Sequence, residues 1–202
     1  KGNVVNPDQL VRQFGADALR LYEMFIGPFN QHVSWDAHGV VGMRRFLERI
    51  WKFVQENSKL KTQNGESPPK ADPPLAEKLK LKTQKLDQML HQTIKKVSED
   101  IENLHMNTAV SALMILLNEL EKSEIVRPRR IRLGRKKVFL LLIAPFAPHI
   151  AEELWARLGE KKSIHSQPWP QFDKNKIKEE FFPLVIQVNG KVRDVVRAQK
   201  GI

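Results

Sequence analysis

The chain has 202 residues, 41% of them hydrophobic, and its 34 Lys and Arg against 23 Asp and Glu leave a formal net charge of +11. Length and apolar content allow a sizeable core in one large domain, or in one domain and part of another, and the charge points to a polyanion, with nucleic acid the leading partner class. The lack of cysteine excludes disulfides and thiolate metal sites, and with neither a membrane-length apolar run nor a signal-peptide layout the expectation is a soluble, cytoplasmic protein that meets no membrane.

Residues 1 to 7, KGNVVNP, form an extended lead-in, and Asn6-Pro7 sets up a helix over roughly 8 to 14 with Asp8 in its first turn. Gly15 breaks that helix, and ADALRLYEMFIG then spaces Leu19, Tyr22 and Phe25/Ile26 for a second one that stops at Gly27-Pro28. Asp36 is placed to cap a third helix whose buried stripe is Val40, Met43, Leu47, Ile50 and Val54. Its other face carries Arg45, Glu48, Arg49 and Lys52. Residues 58 to 74 hold four prolines and read as a solvated connection between helices.

Beyond it, Leu79, Leu86, Leu90, Ile94, Val97, Ile101 and Leu104 keep helical spacing for a long bundle helix. Asn107 is a candidate cap for the next, whose apolar residues are Val110, Leu113, Leu116/Leu117 and Leu120. A basic loop leads into a last helix from about 135 to 158. The tail changes in kind: LVIQV and KVRDVVRA flank Asn189-Gly190, a strong signal for a tight hairpin turn. A lone two-stranded hairpin is marginal in water, so it is expected to begin a truncated second unit.

LLIAPFAPHIAEELW, residues 141 to 155, puts two prolines three apart, and reads as a kinked core helix with Leu141, Leu142, Pro145, Ile150 and Leu154 buried. His149 with Glu152 and Glu153 invites a metal reading, but a catalytic zinc needs about three protein ligands and no second histidine lies a turn away, which favours a hydrogen-bonded structural histidine.

Three motifs carry a resemblance. LLIAPFAPHIAEELW followed by SIHSQPWP is similar to the anticodon-binding-domain helix of bacterial-type leucyl-tRNA synthetases, KGNVVNP with GADALR to the residues after the class I KMSKS loop, and LVIQVNGKVRD to the first hairpin of the C-terminal domain. The resemblance covers nearly the whole chain in order. APFAPH is shared with valyl and isoleucyl relatives, whereas SIHSQPWP and NGKVRD favour the leucyl enzyme. It implies a mainly α fold, an antiparallel helix bundle of the class I synthetase type with a C-terminal β-hairpin. Its parts are a connecting segment at 1–34, the helical domain at 35–180 and the start of a C-terminal domain at 181–202.

It also implies that the chain positions leucine-accepting tRNA within a monomeric ligase whose catalytic, editing and remaining C-terminal domains lie elsewhere. The alternatives are the same module of a valyl or isoleucyl enzyme, or a basic helical bundle that binds RNA non-specifically or docks to a protein. ATP and magnesium are expected for the full-length enzyme and no cofactor for this fragment, which has no HIGH motif, no KMSKS lysine and no phosphate loop; alone it is expected to be inactive. VRPRRIRLGRKK offers Arg127, Arg129, Arg130, Arg132 and Arg135 to RNA phosphates or unpaired bases, against the plainer reading of a solvated basic loop. Arg44, Arg45, Arg49 and Lys52 make a second candidate surface, with Trp51 nearby; a charged helix face is otherwise simply solvated, and Trp51, Trp35 and Trp155 read as packing residues. Lys191 and Arg193 of the hairpin are implied tRNA contacts because the family's C-terminal domain reaches toward the tRNA elbow.

Overall fold

The computed structural model describes residues 5–55, 73–123, 129–177, 181–188 and 191–199. The first helix, α1 (Pro7–Phe14), starts where the Asn6 side chain accepts a 2.9 Å bond from the Asp8 N–H, with Pro7 in the first turn where its missing N–H does no harm. It ends at Gly15, whose φ of 89° suits glycine alone, and α2 (Ala16–Phe25) begins at once in a new direction. Asp36 caps α3 (Ala37–Gln55) by accepting from the His38 N–H at 2.9 Å, and the expected stripe Val40, Met43, Leu47, Ile50 and Val54 is buried. At Gly39 a Cβ would come within 2.1 Å of the Tyr22 ring, so glycine lets α2 and α3 close on each other. The Tyr22 hydroxyl accepts from the Asp36 N–H at 3.1 Å, and its ring meets Trp35 edge-on with centroids 4.8 Å apart.

The prolines at 73 and 74, expected within the connection, instead open α4 (Pro73–Glu102), since proline is tolerated in a first turn; residues 58–72 of that connection lie outside the described residues. Leu86, Leu90, Ile94 and Val97 are buried against α5 (Met106–Ser123), which buries Val110, Leu113, Leu116, Leu117 and Leu120 in return. Leu104 does not join that stripe: α4 has ended, and Leu104 sits in the left-handed region at φ 59°, 58% exposed. The tight reversal starts α5 early, so Asn107 lies inside the helix rather than capping it, and the Thr108 hydroxyl reaches the carboxylate of buried Asp100 at 2.8 Å.

The expected basic loop and single last helix are also corrected. Residues from 129 are helical, forming α6 (Arg129–Ile143), which is followed by a turn and then α7 (Pro148–Arg157). Pro145 ends one helix and Pro148 opens the other, so the pair separates two helices instead of bending one. Leu142 and Leu154 are buried as expected, Leu141 and Ile150 only half-buried, and Pro145 is exposed in the turn. A 3-10 turn at Ile164–Ser166 follows.

The chain divides into two compact units, residues 1–172 and 173–202. In the first, α2 packs on α3 and α5, α4 on α5, and α7 on α3 and α6, around Phe139, Leu140, Phe146, Leu113 and Ile50. The second holds α8 (Lys174–Ile177) and two segments, β1 (Phe181–Val188) and β2 (Lys191–Gln199), paired antiparallel with a register irregularity between Ile186 and Gln187. The Asn189-Gly190 turn lies outside the described residues. The described chain is mainly helical.

Candidate nucleic-acid interface

The outward face of α3 presents its cations between the buried apolar positions, as a helical period requires. Arg44 reaches back to the Phe14 carbonyl at 3.2 Å and pairs with Glu48 at 3.0 Å one turn on. Arg49 crosses to α5, where its Nη2 meets the Asn118 Oδ1 at 2.6 Å and the Glu121 carboxylate at 2.5 Å. Arg45 and Lys52 are exposed. Trp51 is half-buried beneath the Arg157 guanidinium, 4.5 Å from the ring centroid, a cation–π contact that joins α3 to α7. Trp155 is buried and its indole N–H donates to the Lys162 carbonyl at 3.0 Å, in keeping with a packing role.

The basic run on α6 is divided by its helix. Arg127, and the side chains of Arg129 and Arg130 in the first turn, lie outside the described residues. Arg132 is half-buried. Arg135 is not a surface contact for RNA: it is 6% exposed, with both its Nε (3.2 Å) and Nη2 (2.6 Å) on Asp87 of α4. Lys136 is more deeply placed, 2% exposed, with its ammonium on the carbonyls of Phe53 and Val54 at the end of α3 and 4.7 Å from the Phe53 ring. A cation there satisfies carbonyls that the last helical turn leaves open and faces the negative end of the helix dipole. Lys137 pairs with Glu160.

Three quoted motifs meet at the turn between α6 and α7. Asp17 of GADALR is buried on α2, and its carboxylate accepts from the N–H groups of His149 (3.3 Å) and Ile150 (2.7 Å) in the first turn of α7. Arg20 of the same motif donates to the Pro145 carbonyl at 3.1 Å. APFAPH is therefore clamped by an acid and a base from 125 to 133 residues upstream. SIHSQPWP closes the other side: Glu152 accepts from Ser163 Oγ and the Ile164 N–H, both at 2.9 Å, and the Trp169 indole donates to Ser98 of α4 at 2.8 Å. Sequence reasoning missed Asp17 as a partner, although an acid inside an apolar helical stripe was a legible signal that something would have to satisfy it. His149 itself is exposed, with Glu153 engaged by Arg157, and among the described residues no group of three or more His, Cys, Asp or Glu is placed to hold a metal.

Lys191 and Arg193 lie on β2; Ile186 pairs with Asp194 and Gln187 with Val192, so Arg193 falls in the irregularity. Their side chains lie outside the described residues. No helix among the described residues is long and apolar enough to cross a membrane.

A family model for the anticodon-binding domain of tRNA ligase matches residues 83–202. Among solved structures, the chain is similar to the LeuRS of Agrobacterium radiobacter K84 agnB2 in a ternary complex with tRNA and LeuAMS, at 30% identity and a TM-score of 0.78. That likeness covers 100% of this chain and 25% of the other, so the chain spans a quarter of that relative's length. It is also similar in fold to apo Mycobacterium tuberculosis methionyl-tRNA synthetase, at 16% identity and a TM-score of 0.53, over 75% of this chain and 34% of that one.

Proposed function

From the premise that this chain belongs to the anticodon-binding domain family of tRNA ligases, we propose that it is the tRNA-positioning helical module of a leucine–tRNA ligase. The observation that carries the reading is the likeness over its whole length to a LeuRS that was crystallised with tRNA. In this role the bundle does no bond chemistry. It holds the tRNA so that the acceptor end reaches an active site in another part of the enzyme, which lowers the barrier by orientation.

Charge supports the reading. Arg45 and Lys52 stand exposed on α3, and Arg129 and Arg130 occupy the first turn of α6 with Arg127 just before it. The positive end of the helix dipole lies at the same place, where an anion is favoured. Arg44 and Arg49 are placed to exchange a weak exposed contact for phosphate; half-buried Arg132 and, in the second unit, read as the start of a C-terminal domain, Lys191 and Arg193 are further proposed contacts. Leucine specificity, ATP with magnesium for the full-length enzyme, a cytoplasmic location and a monomeric state belong to the same proposal.

The test is a titration of the chain against leucine tRNA, valine tRNA and an unrelated RNA duplex at several salt concentrations. Preference for leucine tRNA that survives moderate salt is the expected result. Equal binding to all three, collapsing together as salt rises, would remove recognition from this module.

A further inference from the structure

We infer that the cavity bounded by the α1–α2 turn, the outer half of α3 and the first turns of α7 is a binding site for a small organic anion, an aryl or alkyl carboxylate. The cavity measures about 610 Å³, and Phe14, Leu47, Trp51 and Ile150 supply its apolar lining. That volume falls within the roughly 300–1,000 Å³ typical of small-ligand sites. Leu47 is buried, but Phe14, Trp51 and Ile150 are only half-buried, so three large apolar side chains keep surface that the chain's own core leaves uncovered. Along the α1–α2 turn the lining is Gly15, Ala16 and Ala18, which fill little of the space.

Three acids and three basic side chains also line the cavity, and the two sets are not equally satisfied. Asp17 accepts from the N–H groups of His149 (3.3 Å) and Ile150 (2.7 Å), Glu48 from Arg44 at 3.0 Å, and Glu153 from Arg157 at 2.6 Å. Every acid therefore has a donor. Arg44 uses its Nε on Glu48 and its Nη1 on the Phe14 carbonyl, whereas the Lys52 ammonium and the His149 ring, both exposed, have no partner among the described residues. An imidazole presents at least one ring N–H in either charge state, so the cavity is left with donors and a positive charge to answer. What completes it is an acceptor that carries negative charge.

The apolar lining decides which anion. A free phosphate or an RNA backbone would meet Lys52 and leave Phe14, Trp51 and Ile150 as bare as before, while a carboxylate on a hydrocarbon body answers the cation and covers the apolar surface together. The walls are also set before a ligand arrives. Asp17 ties the first turn of α7 to α2, and the Arg157 guanidinium, 4.5 Å from the Trp51 ring centroid, ties α7 to α3. Little ordering is then required on binding.

The experiment titrates the chain with 4-phenylbutyrate and with its uncharged amide, followed by the ¹H–¹⁵N resonances of the Trp51 indole and of the Gly15 and Ile150 amides. Because Arg44 and Lys52 also belong to the proposed tRNA surface, no RNA is present, and failure here leaves the tRNA reading standing. The acid is expected to saturate with a Kd of about 0.1–1 mM, as suits a ligand of that size, and the amide to bind about 3- to 10-fold more weakly. Lys52→Ala is expected to weaken the acid by the same factor and to leave the amide unchanged. Ala16→Leu, which fills the cavity, is expected to weaken both about 10-fold or more at an unchanged melting temperature. No saturable shift at these three residues overturns the site. Equal affinity for acid and amide, or an unchanged affinity for the acid in Lys52→Ala, overturns the anion. Should Ala16→Leu lower the melting temperature, Lys52→Ala, on an exposed helix face, decides alone.

Discussion

Both α3 and α6 carry runs of Arg and Lys, Arg44 to Lys52 on the one and Arg129 to Lys137 on the other, yet the fold buries cations on α6 and none on α3 among the described side chains. On α3 the cations fall between apolar positions and stand in water; on α6, Arg135 and Lys136 precede Phe139 and Leu140 by one turn and are carried into the core with them. Charge density does not decide exposure. The apolar period of the helix does, and a buried cation is tolerated only because carbonyls and a carboxylate wait for it.

That contrast can be broken most severely at Lys136. Lys136→Ala leaves the Phe53 and Val54 carbonyls without their ammonium and opens a cavity beside the Phe53 ring, and is expected to lower unfolding free energy by about 3 kcal/mol in a urea titration. Arg135→Ala removes a pair whose acid, Asp87, is part-exposed and can be solvated, so about 1–2 kcal/mol is expected by the same measurement. Arg49→Ala, which breaks an exposed bridge from α3 to α5, is expected to cost about 0.5 kcal/mol. The double variant Arg45→Ala with Lys52→Ala is expected to leave stability within about 0.5 kcal/mol of wild type while the slope of log affinity for tRNA against log salt falls by about 1 to 2. Should the α6 variants move that slope and the α3 pair leave it unchanged, the assignment of inward and outward cations is reversed.

Local signals explain what the sequence disclosed. Asn6 and Asp36 cap helices because a short oxygen-bearing side chain reaches N–H groups two residues on, and the stripe from Val40 to Val54 is buried because its spacing puts it on one face. The misses arose where local preference met a distant partner. The basic segment is expected to be a loop, but Asp87 and the end of α3 engage Arg135 and Lys136, and the segment forms a helix from Arg129. Leu104 fits the helical period and still leaves it, because the chain reverses there before Met106. The exposed cations of the candidate interface were thus legible on α3 and only in part on α6. The clamp on the α6–α7 turn was not foreseen at all, since no periodicity links residues 132 positions apart.

That clamp also has a timetable. Asp17 is synthesised 132 residues before His149, whose N–H it must hold. At about 5–20 residues per second the carboxylate waits roughly 7–26 s for a partner. Throughout that interval α2 has sequence enough to coil but no first turn of α7 to dock against, and its acid has water as its only proton donor from that side. Helix α2 is therefore made well before the turn that locks it, and closure of the bundle is reported by slow hydrogen exchange at the amides of His149 and Ile150.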